Sequence, residues 1–290
     1  MMIQKVLLST ILATAMSLSM AAQLRLSVYN PGEESVFPVS SNIISGSTEV
    51  ALIDAQFQKN DAEALVQQIK ATGKRLTTVY ISHSDPDFYF GLDVIQAAFP
   101  QAKIVATPAT VAAINATQAG KVAYWAPMMK ENAPKHIVVP QVLKADHFTV
   151  DGERIEVKGL NGPNPAETYL WVPSLKAVVG GVVVYGNNMH VWLADAQTPA
   201  ARQHWRETLR SIIALQPEVV VPGHFLPGAA QNLTSVRFTD GYLATVEQLL
   251  PQTQNSAELV QGLTRAYPDF VAGDDVTLGA KVLKGEMQWP

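Results

Sequence analysis

One polar segment after a short apolar run sets the strongest constraint on how this chain can fold. Residues 76–81 are apolar and rich in β-branched side chains, which is typical of a buried strand. The sequence then reads His-Ser-Asp-Pro-Asp over residues 83–87, and Pro86 prevents a simple continuation of a strand or helix. Apolar residues recur at helical spacing over residues 92–99. The pattern predicts a strand, a polar turn and a helix, and ligands bind beyond the carboxyl ends of strands in an α/β sheet.

Three side chains in this turn can bind a metal ion or transfer a proton: His83, Asp85 and Asp87. His224 has a similar setting, because it follows the short apolar run 219–221 and a Pro-Gly turn. Both histidines therefore come directly after predicted buried strands. We expect the chemistry of the protein at the sheet edge where these turns lie.

The composition excludes several kinds of function. The chain has 290 residues, of which 48% are hydrophobic and 16% are charged, which is enough to bury a sizeable core. Its formal net charge is -4 and no basic stripe is visible, so nucleic acid is not an expected partner. The absence of cysteine excludes disulfides, thiolate metal ligands and a cysteine nucleophile.

The N-terminal residues have the pattern of an export signal. Lys5 precedes an apolar stretch over residues 6–20, and the small residues that follow predict cleavage after Ala21 or Ala22. This stretch is shorter than the ~20 apolar residues of a membrane span, so no stable membrane anchor is expected. We therefore predict a signal peptide over residues 1–22 and a periplasmic or secreted mature protein.

The mature chain, residues 23–290, is predicted to form one domain with two sheets. Its first part alternates strands with helices, whereas residues 137–185 contain short strand-like runs, among them 137–140 and 177–185. Helices are predicted again from residue 200, and the region from about 236 to 290 is mainly helical. Two sheets with helices on their outer faces explain this order better than one parallel sheet.

The segment 122–134 is apolar and shows no regular pattern. One interpretation is that it packs beneath a long connection. The other is that it forms a lid or a pocket wall.

Taken together, these motifs resemble the metallo-β-lactamase superfamily over roughly residues 42–225. Residues 42–54 are similar to the family's opening hairpin and strand-end aspartate, and residues 83–88 stand where the family carries H-x-H-x-D-H. Residues 169–185 are similar to the strand pair that leads to its Gly-Asp, and residues 222–224 to its final Gly-His. The resemblance implies an α/β (α+β) fold, the αββα sandwich, with a one- or two-metal site at one edge and C-terminal helices added.

The metal-ligand set that the resemblance implies is incomplete in this sequence. Three positions match the family: His83, Asp87 and His224. Asp85 stands where the family has a histidine, and Phe88 replaces another ligand with a side chain that donates nothing.

Two further family ligands are replaced. The position of the third histidine falls on Pro163, and that of the bridging aspartate falls on Val182. A catalytic zinc ion needs about three protein ligands, and a metal pair needs a bridging group, so a dinuclear site is not expected. One divalent ion, either Zn²⁺ or the harder Mn²⁺ or Fe²⁺, is the cofactor that the remaining residues would suit. The four predicted ligands of that ion are His83, Asp85, Asp87 and His224.

Two hypotheses for function follow from this resemblance. In the first, the protein is an exported hydrolase in which metal-activated water attacks an ester, lactone, amide or phosphoester of a small-molecule substrate. Asp87 then binds the metal or acts as general base, and without a metal His83 and His224 act as acid and base on their own. In the second, the protein is a metal-free, non-catalytic periplasmic binding protein, which Phe88 and Val182 favour.

Two other residues have open roles. His190 either approaches the same sheet edge or is a loop histidine bonded to backbone. Glu167, beside the lost histidine position, either substitutes as a ligand or is solvated. The sequence does not define the oligomeric state.

Overall fold

The computed structural model describes residues 23–162 and 164–289. The signal peptide predicted over residues 1–22 and the ligand position that falls on Pro163 lie outside these residues. The strands are β1 (Arg25–Tyr29), β2 (Ser41–Ser45), β3 (Glu49–Ile53), β4 (Arg75–Ile81), β5 (Lys103–Ala106), β6 (Gln141–Val142), β7 (His147–Val150), β8 (Glu153–Lys158), β9 (Tyr169–Val172), β10 (Ala177–Val179) and β11 (Val219–Val220). The α-helices are α1 (Lys59–Ala71), α2 (Pro86–Tyr89), α3 (Leu92–Ala98), α4 (Pro108–Met129), α5 (Pro199–Ala214), α6 (Leu233–Leu249), α7 (Ser256–Ala266) and α8 (Asp274–Leu283).

Within the described residues the strands form two sheets, which confirms the predicted two-sheet architecture. The first has the order β1-β2-β3-β4-β5-β6 and the second has the order β11-β10-β9-β8-β7. Strands β3, β4 and β5 are parallel, and so are β10 and β11, whereas β7 to β10 pair antiparallel. Parallel strands end at the same edge of their sheet. The turn after β4 therefore lies at the edge where β3 and β5 end, and the turn after β11 lies at the edge where β10 ends.

Three groups of buried apolar side chains hold these layers together. One lies between the sheets and includes Ile53 and Tyr80 of the first sheet with Leu170 and Val179 of the second. Another covers the outer face of the first sheet with α1, α3 and α4. The third covers the outer face of the second sheet with α5 to α8. Helix, sheet, sheet and helix therefore stack as the αββα sandwich.

The segment 122–134 differs from its prediction. Residues 122–129 continue α4, which begins at a Thr107 cap whose side chain accepts a hydrogen bond from the N–H of Thr110 at 3.1 Å. Pro127 lies inside the helix near its end, and the helix stops two residues later. The prediction of irregular structure was wrong there, because burial of Trp125 and Met129 against the core of the first sheet outweighs the local proline signal.

Two predicted strands also differ from the structure. Residues 137–140 form no strand, and pairing with β5 begins only at β6. The strand predicted over residues 177–185 ends at Val179, because Gly180 and Gly181 adopt positive φ angles of 72° and 83° that break the extended backbone. After Val179 the chain therefore leaves the sheet and continues at the edge where the polar turns lie.

No helix among the described residues has both the length and the apolar character that crossing a bilayer would require.

Candidate functional site

A hydrogen-bonded link between the sheets positions the polar turn. Ser82, directly after β4, bonds through its Oγ to both carboxylate oxygens of Asp54 at 2.8 Å. The N–H of Gly181 donates to the same Oγ at 2.8 Å. Burial raises the pKa of Asp54 to about 7, although the hydrogen bonds from Ser82 oppose this shift. These hydrogen bonds connect the ends of β3 and β4 in the first sheet to the end of β10 in the second, immediately before His83.

His83 lies buried between two carboxylates. Its Nδ1 is 3.3 Å from Asp85 Oδ2, and its Nε2 is 3.5 Å from Glu167 Oε1. Burial by itself would lower the pKa of His83, but the charges of Asp85 and Glu167 raise it to about 9. The Asp85 N–H also lies 3.0 Å from Nδ1 and can donate only to a neutral ring. The two carboxylates are the stronger influence, so the charged imidazolium is favoured.

Asp85 has a second cationic partner, the Lys121 ammonium group of α4, with which it makes an ion pair and hydrogen bond. Burial alone would raise the pKa of Asp85, but His83 and Lys121 lower it. Burial alone would lower the pKa of Lys121, but Asp85 raises it. Both members of the pair are therefore charged, and the carboxylate that was predicted to bind metal is already engaged by cations of the chain itself.

His224 belongs to a separate pair. Its Nε2 lies 3.0 Å from Asp87 Oδ2, and its ring stacks on Tyr185 with the ring centroids 5.2 Å apart. Isolated β-bridges to Val39 and Tyr185 hold its backbone between the two sheets. His224 and Asp87 are both buried. His224 therefore lies beside the first motif, where its ion-pair partner is Asp87.

Phe88 lies against both histidines. Its ring centroid is 5.6 Å from that of His83 and 5.8 Å from that of His224, and its side chain is fully buried. Val182, at the predicted position of a bridging carboxylate, lines the cleft as an apolar side chain. Two histidine–carboxylate pairs therefore flank an apolar ring instead of converging on one point.

The described residues do not fit the metal centre that the resemblance implies. Among residues 23–162 and 164–289, no three or more His, Asp or Glu side chains are arranged to hold an ion. The Lys121 ammonium would also repel a divalent cation placed next to Asp85. The predicted one-ion site on His83, Asp85, Asp87 and His224 remains a prediction that metal analysis must test.

Two adjoining pockets open at this edge. The aromatic pocket has a volume of about 70 Å³, and its walls include the rings of Phe37, Trp125, Tyr185, Trp192 and Trp289. The wide pocket has a volume of about 360 Å³, which is within the usual range for small-molecule sites. Residues that line both pockets form the boundary between them: Asp85, Val182, Tyr185, Trp192 and Asp195.

The two residues with open roles both lie in this cleft. Glu167 lies beside His83 and lines the wide pocket, so it belongs to the site. His190 lines the aromatic pocket and is not bonded to backbone: its Nδ1 is 2.8 Å from the hydroxyl of Tyr242. Segment 122–134 contributes Trp125 to the wall of the aromatic pocket and to the core, so both interpretations of it apply in part.

Sequence reasoning missed Lys121, Asp195 and Trp289. Lys121 lies in the middle of a helix and has no motif around it, so only the packing of α4 brings it to Asp85. Asp195 accepts hydrogen bonds from Trp192 Nε1 at 2.6 Å and Trp289 Nε1 at 3.0 Å. A weak signal existed for Asp195, because it is a single acid three positions after Trp192 in an apolar loop.

Comparisons with known proteins agree with this fold. The sequence profile described as "Metallo-beta-lactamase superfamily" matches residues 35–224. A metallo-beta-lactamase family protein from Thermus thermophilus is similar in structure, with a TM-score of 0.59 and 17% identity, over 91% of this chain and 93% of that protein. A metallo-beta-lactamase from Pontibacter korlensis has a TM-score of 0.54 and 19% identity, over 77% of this chain and 95% of the other.

A double mutant of the sec-alkyl sulfatase PisA1 is also similar in structure. Its TM-score is 0.59 with 14% identity, and the match covers 93% of this chain but 51% of the sulfatase. The fold is thus the αββα sandwich, a hydrolase-type fold. The chain belongs to the metallo-beta-lactamase superfamily, as the sequence motifs predicted.

Proposed function

We propose that this protein binds a small molecule in the cleft formed by the two pockets, and that it does so without a bound metal ion. The observation that carries this proposal is the Lys121 ammonium group in contact with Asp85. The chain thus provides its own cation beside the carboxylate that replaces a family ligand. This corresponds to the second of the two hypotheses drawn from the sequence.

The electrostatics of the cleft support this proposal. Lys121 is largely buried, so its attraction to Asp85 is weakly screened by solvent, as is its repulsion of any added cation. A metal ion would have to displace the ammonium group or lose Asp85 as a ligand. Phe88 and Val182 supply no compensating donor on the other side.

Metal analysis of protein purified without chelator tests the proposal. We expect no stoichiometric transition metal, and no change in melting temperature when Zn²⁺ or Mn²⁺ is added. Lys121→Ala frees Asp85, so this variant should gain a Zn²⁺-dependent rise in melting temperature. Lys176→Ala is the matched control, because Lys176 pairs with Glu218 on the exposed surface, where the two side chains retain 60% and 67% exposure.

The opposite result would favour the metal-dependent hydrolase. One equivalent of tightly bound metal, lost in both His83→Ala and His224→Ala, would show that the four predicted ligands rearrange around an ion. Binding itself is tested by ligand-observed NMR with a fragment set that contains neutral, anionic and cationic members. If no fragment binds, the cleft is not a ligand site.

Hydrolysis without metal is a second candidate, favoured by the buried His224–Asp87 pair at 3.0 Å in the wall of the aromatic pocket. A histidine oriented by a carboxylate can accept a proton from water that attacks a bound ester or amide. This activity would persist in excess chelator and would be lost in His224→Gln. Loss of activity on chelation would contradict it.

Export to the periplasm or the medium is part of the proposal and depends on the pattern in residues 1–22. Cell fractionation and mass determination of the mature N-terminus test it. A cytoplasmic protein that retains residues 1–22 would contradict it.

A further inference from the structure

Aromatic rings form much of the wall of the aromatic pocket. The Trp289 ring centroid lies 5.4 Å from that of Trp192 and 6.4 Å from that of Trp125, both in edge-on arrangements. Phe37 meets Trp125 at 5.2 Å, also edge-on. Tryptophan faces attract ammonium groups through the ring quadrupole, and this attraction increases when the cation is desolvated.

The charged side chains of the cleft are mostly acidic. Among the described residues that line the two pockets, Lys121 is the one lysine or arginine, and it is paired with Asp85. Asp87 is paired with His224. Glu167 faces His83, and the remaining carboxylates are Asp195 and Asp275. The cleft therefore has an excess of negative charge, and its basic groups are already engaged.

Asp195 is the best placed of these carboxylates, because it lies on the boundary between the two pockets. Its described partners are the neutral N–H groups of Trp192 and Trp289, which orient the carboxylate without neutralising it. Asp195 is exposed to solvent, so a ligand can reach its carboxylate.

His190 supplies an independent observation. Its side chain is 1% exposed and lines the aromatic pocket, and its Nε2 has no hydrogen-bond partner among the described residues. Burial lowers the pKa of His190, which keeps the imidazole neutral. When Nδ1–H donates to Tyr242, Nε2 is an acceptor that an ammonium N–H can satisfy. A buried polar atom without a partner is costly, so a ligand donor would be favoured here.

We propose that the aromatic pocket binds the protonated nitrogen of a small organic amine, with the apolar body of the amine extending past Asp195 and Trp192 into the wide pocket. This inference rests on the proposed metal-free binding function and specifies its ligand class. An anionic ligand would meet Asp195 and Asp275, which have no ion-pair partner among the described residues, and a lysine that is already paired. A neutral ligand could not form an ion pair with Asp195.

Isothermal titration calorimetry with three probes of similar size tests the ligand class at neutral pH. They are phenethylamine, which is protonated, the neutral 2-phenylethanol and the anion phenylacetate. We expect the amine to bind at least about tenfold more tightly than the other two, which is the scale of a partly exposed cation–π contact with an ion pair. Equal binding of the alcohol, or tighter binding of phenylacetate, would overturn the inference.

Two variants locate the site. Asp195→Asn removes the charge and keeps an acceptor for one of the two tryptophan N–H groups, and it should weaken amine binding about tenfold with little effect on the alcohol. Trp289→Leu removes one wall and should also weaken binding, so a folding defect in one variant leaves the other as a test. Glu218→Gln, on the exposed surface, is the control and should bind the amine like the unmodified protein. Unchanged amine binding in both site variants would overturn the inference.

The fragment experiment separates this inference from the proposed function. Neutral or anionic fragments that bind while all amines fail would refute the ligand class and leave the metal-free binding site in place. Failure of every fragment would refute both.

Discussion

The two histidines of the site lie within reach of the same phenylalanine ring but have opposite surroundings. His83 is set among charges: it contacts Asp85 and Glu167, and Asp85 in turn contacts Lys121. His224 has one carboxylate partner and is otherwise packed against aromatic rings. One pair is therefore stabilised by a charge network, and the other mainly by packing. Two histidines that contact the same aromatic ring can therefore be stabilised in different ways, one by charge and the other by packing.

The largest effect is expected from the ring that separates the two pairs. Phe88→Ala removes a fully buried side chain in contact with both histidines, so it should lower the free energy of unfolding by about 3–5 kcal/mol. Urea unfolding measures this loss. Val271→Ala, at a side chain with 87% exposure, is the control and should change little. A loss below about 1 kcal/mol for Phe88→Ala would mean that the rings are not packed as described.

The second-largest loss of stability is expected at Lys121, in the charge network around His83 and Asp85. Lys121→Met keeps the length of a side chain that is 10% exposed but removes one of the two cationic partners of Asp85, so we expect the free energy of unfolding to fall by about 2–4 kcal/mol. The same substitution at exposed Lys176 should have no measurable effect on unfolding. If Asp85→Leu combined with Lys121→Met is as unstable as Lys121→Met alone, the loss does not arise from an unpaired carboxylate.

The charge network should also make stability depend on pH. The pKa of His83 is raised from 6.5 to about 9 in the folded protein, so its stabilising contribution is fully present below pH 6.5 and is lost as the pH rises through about 9. The free energy of unfolding should therefore decline over this range. In His83→Gln the decline should be smaller, and the difference between the two pH profiles isolates this group. If the free energy of unfolding depends on pH in the same way in both proteins, His83 is not held in its charged form.

The smallest effect is expected at the second pair. Asp87→Asn keeps an oxygen that can accept a hydrogen bond from His224 Nε2, so we expect a loss of about 0.5–1.5 kcal/mol. Chemical denaturation at neutral pH measures it. A loss as large as that of Lys121→Met would show that this pair, like the first, depends on charge more than on packing.

Most of the fold could be predicted from local patterns. The apolar run at residues 76–81 and the helical spacing of apolar residues at 92–99 predicted strand β4 and helix α3. The main errors, at residues 122–134 and 177–185, occurred where burial of Trp125 and the conformations of Gly180 and Gly181 decided the outcome. Local propensity is a weak signal at such positions, because packing against distant residues overrides it.

The sequence by itself determined that the chain belongs to an αββα family and that His83, Asp85, Asp87 and His224 would lie near one edge. These conclusions depend on the order of the motifs and on where strands end, and both are local properties. Only the tertiary structure decided how those side chains pair, that Lys121 contacts Asp85, and that Trp289 and Asp195 complete a pocket. The physical reason is that ion pairs and cavities depend on distances of a few ångströms between residues far apart in the chain, and no local pattern encodes those distances.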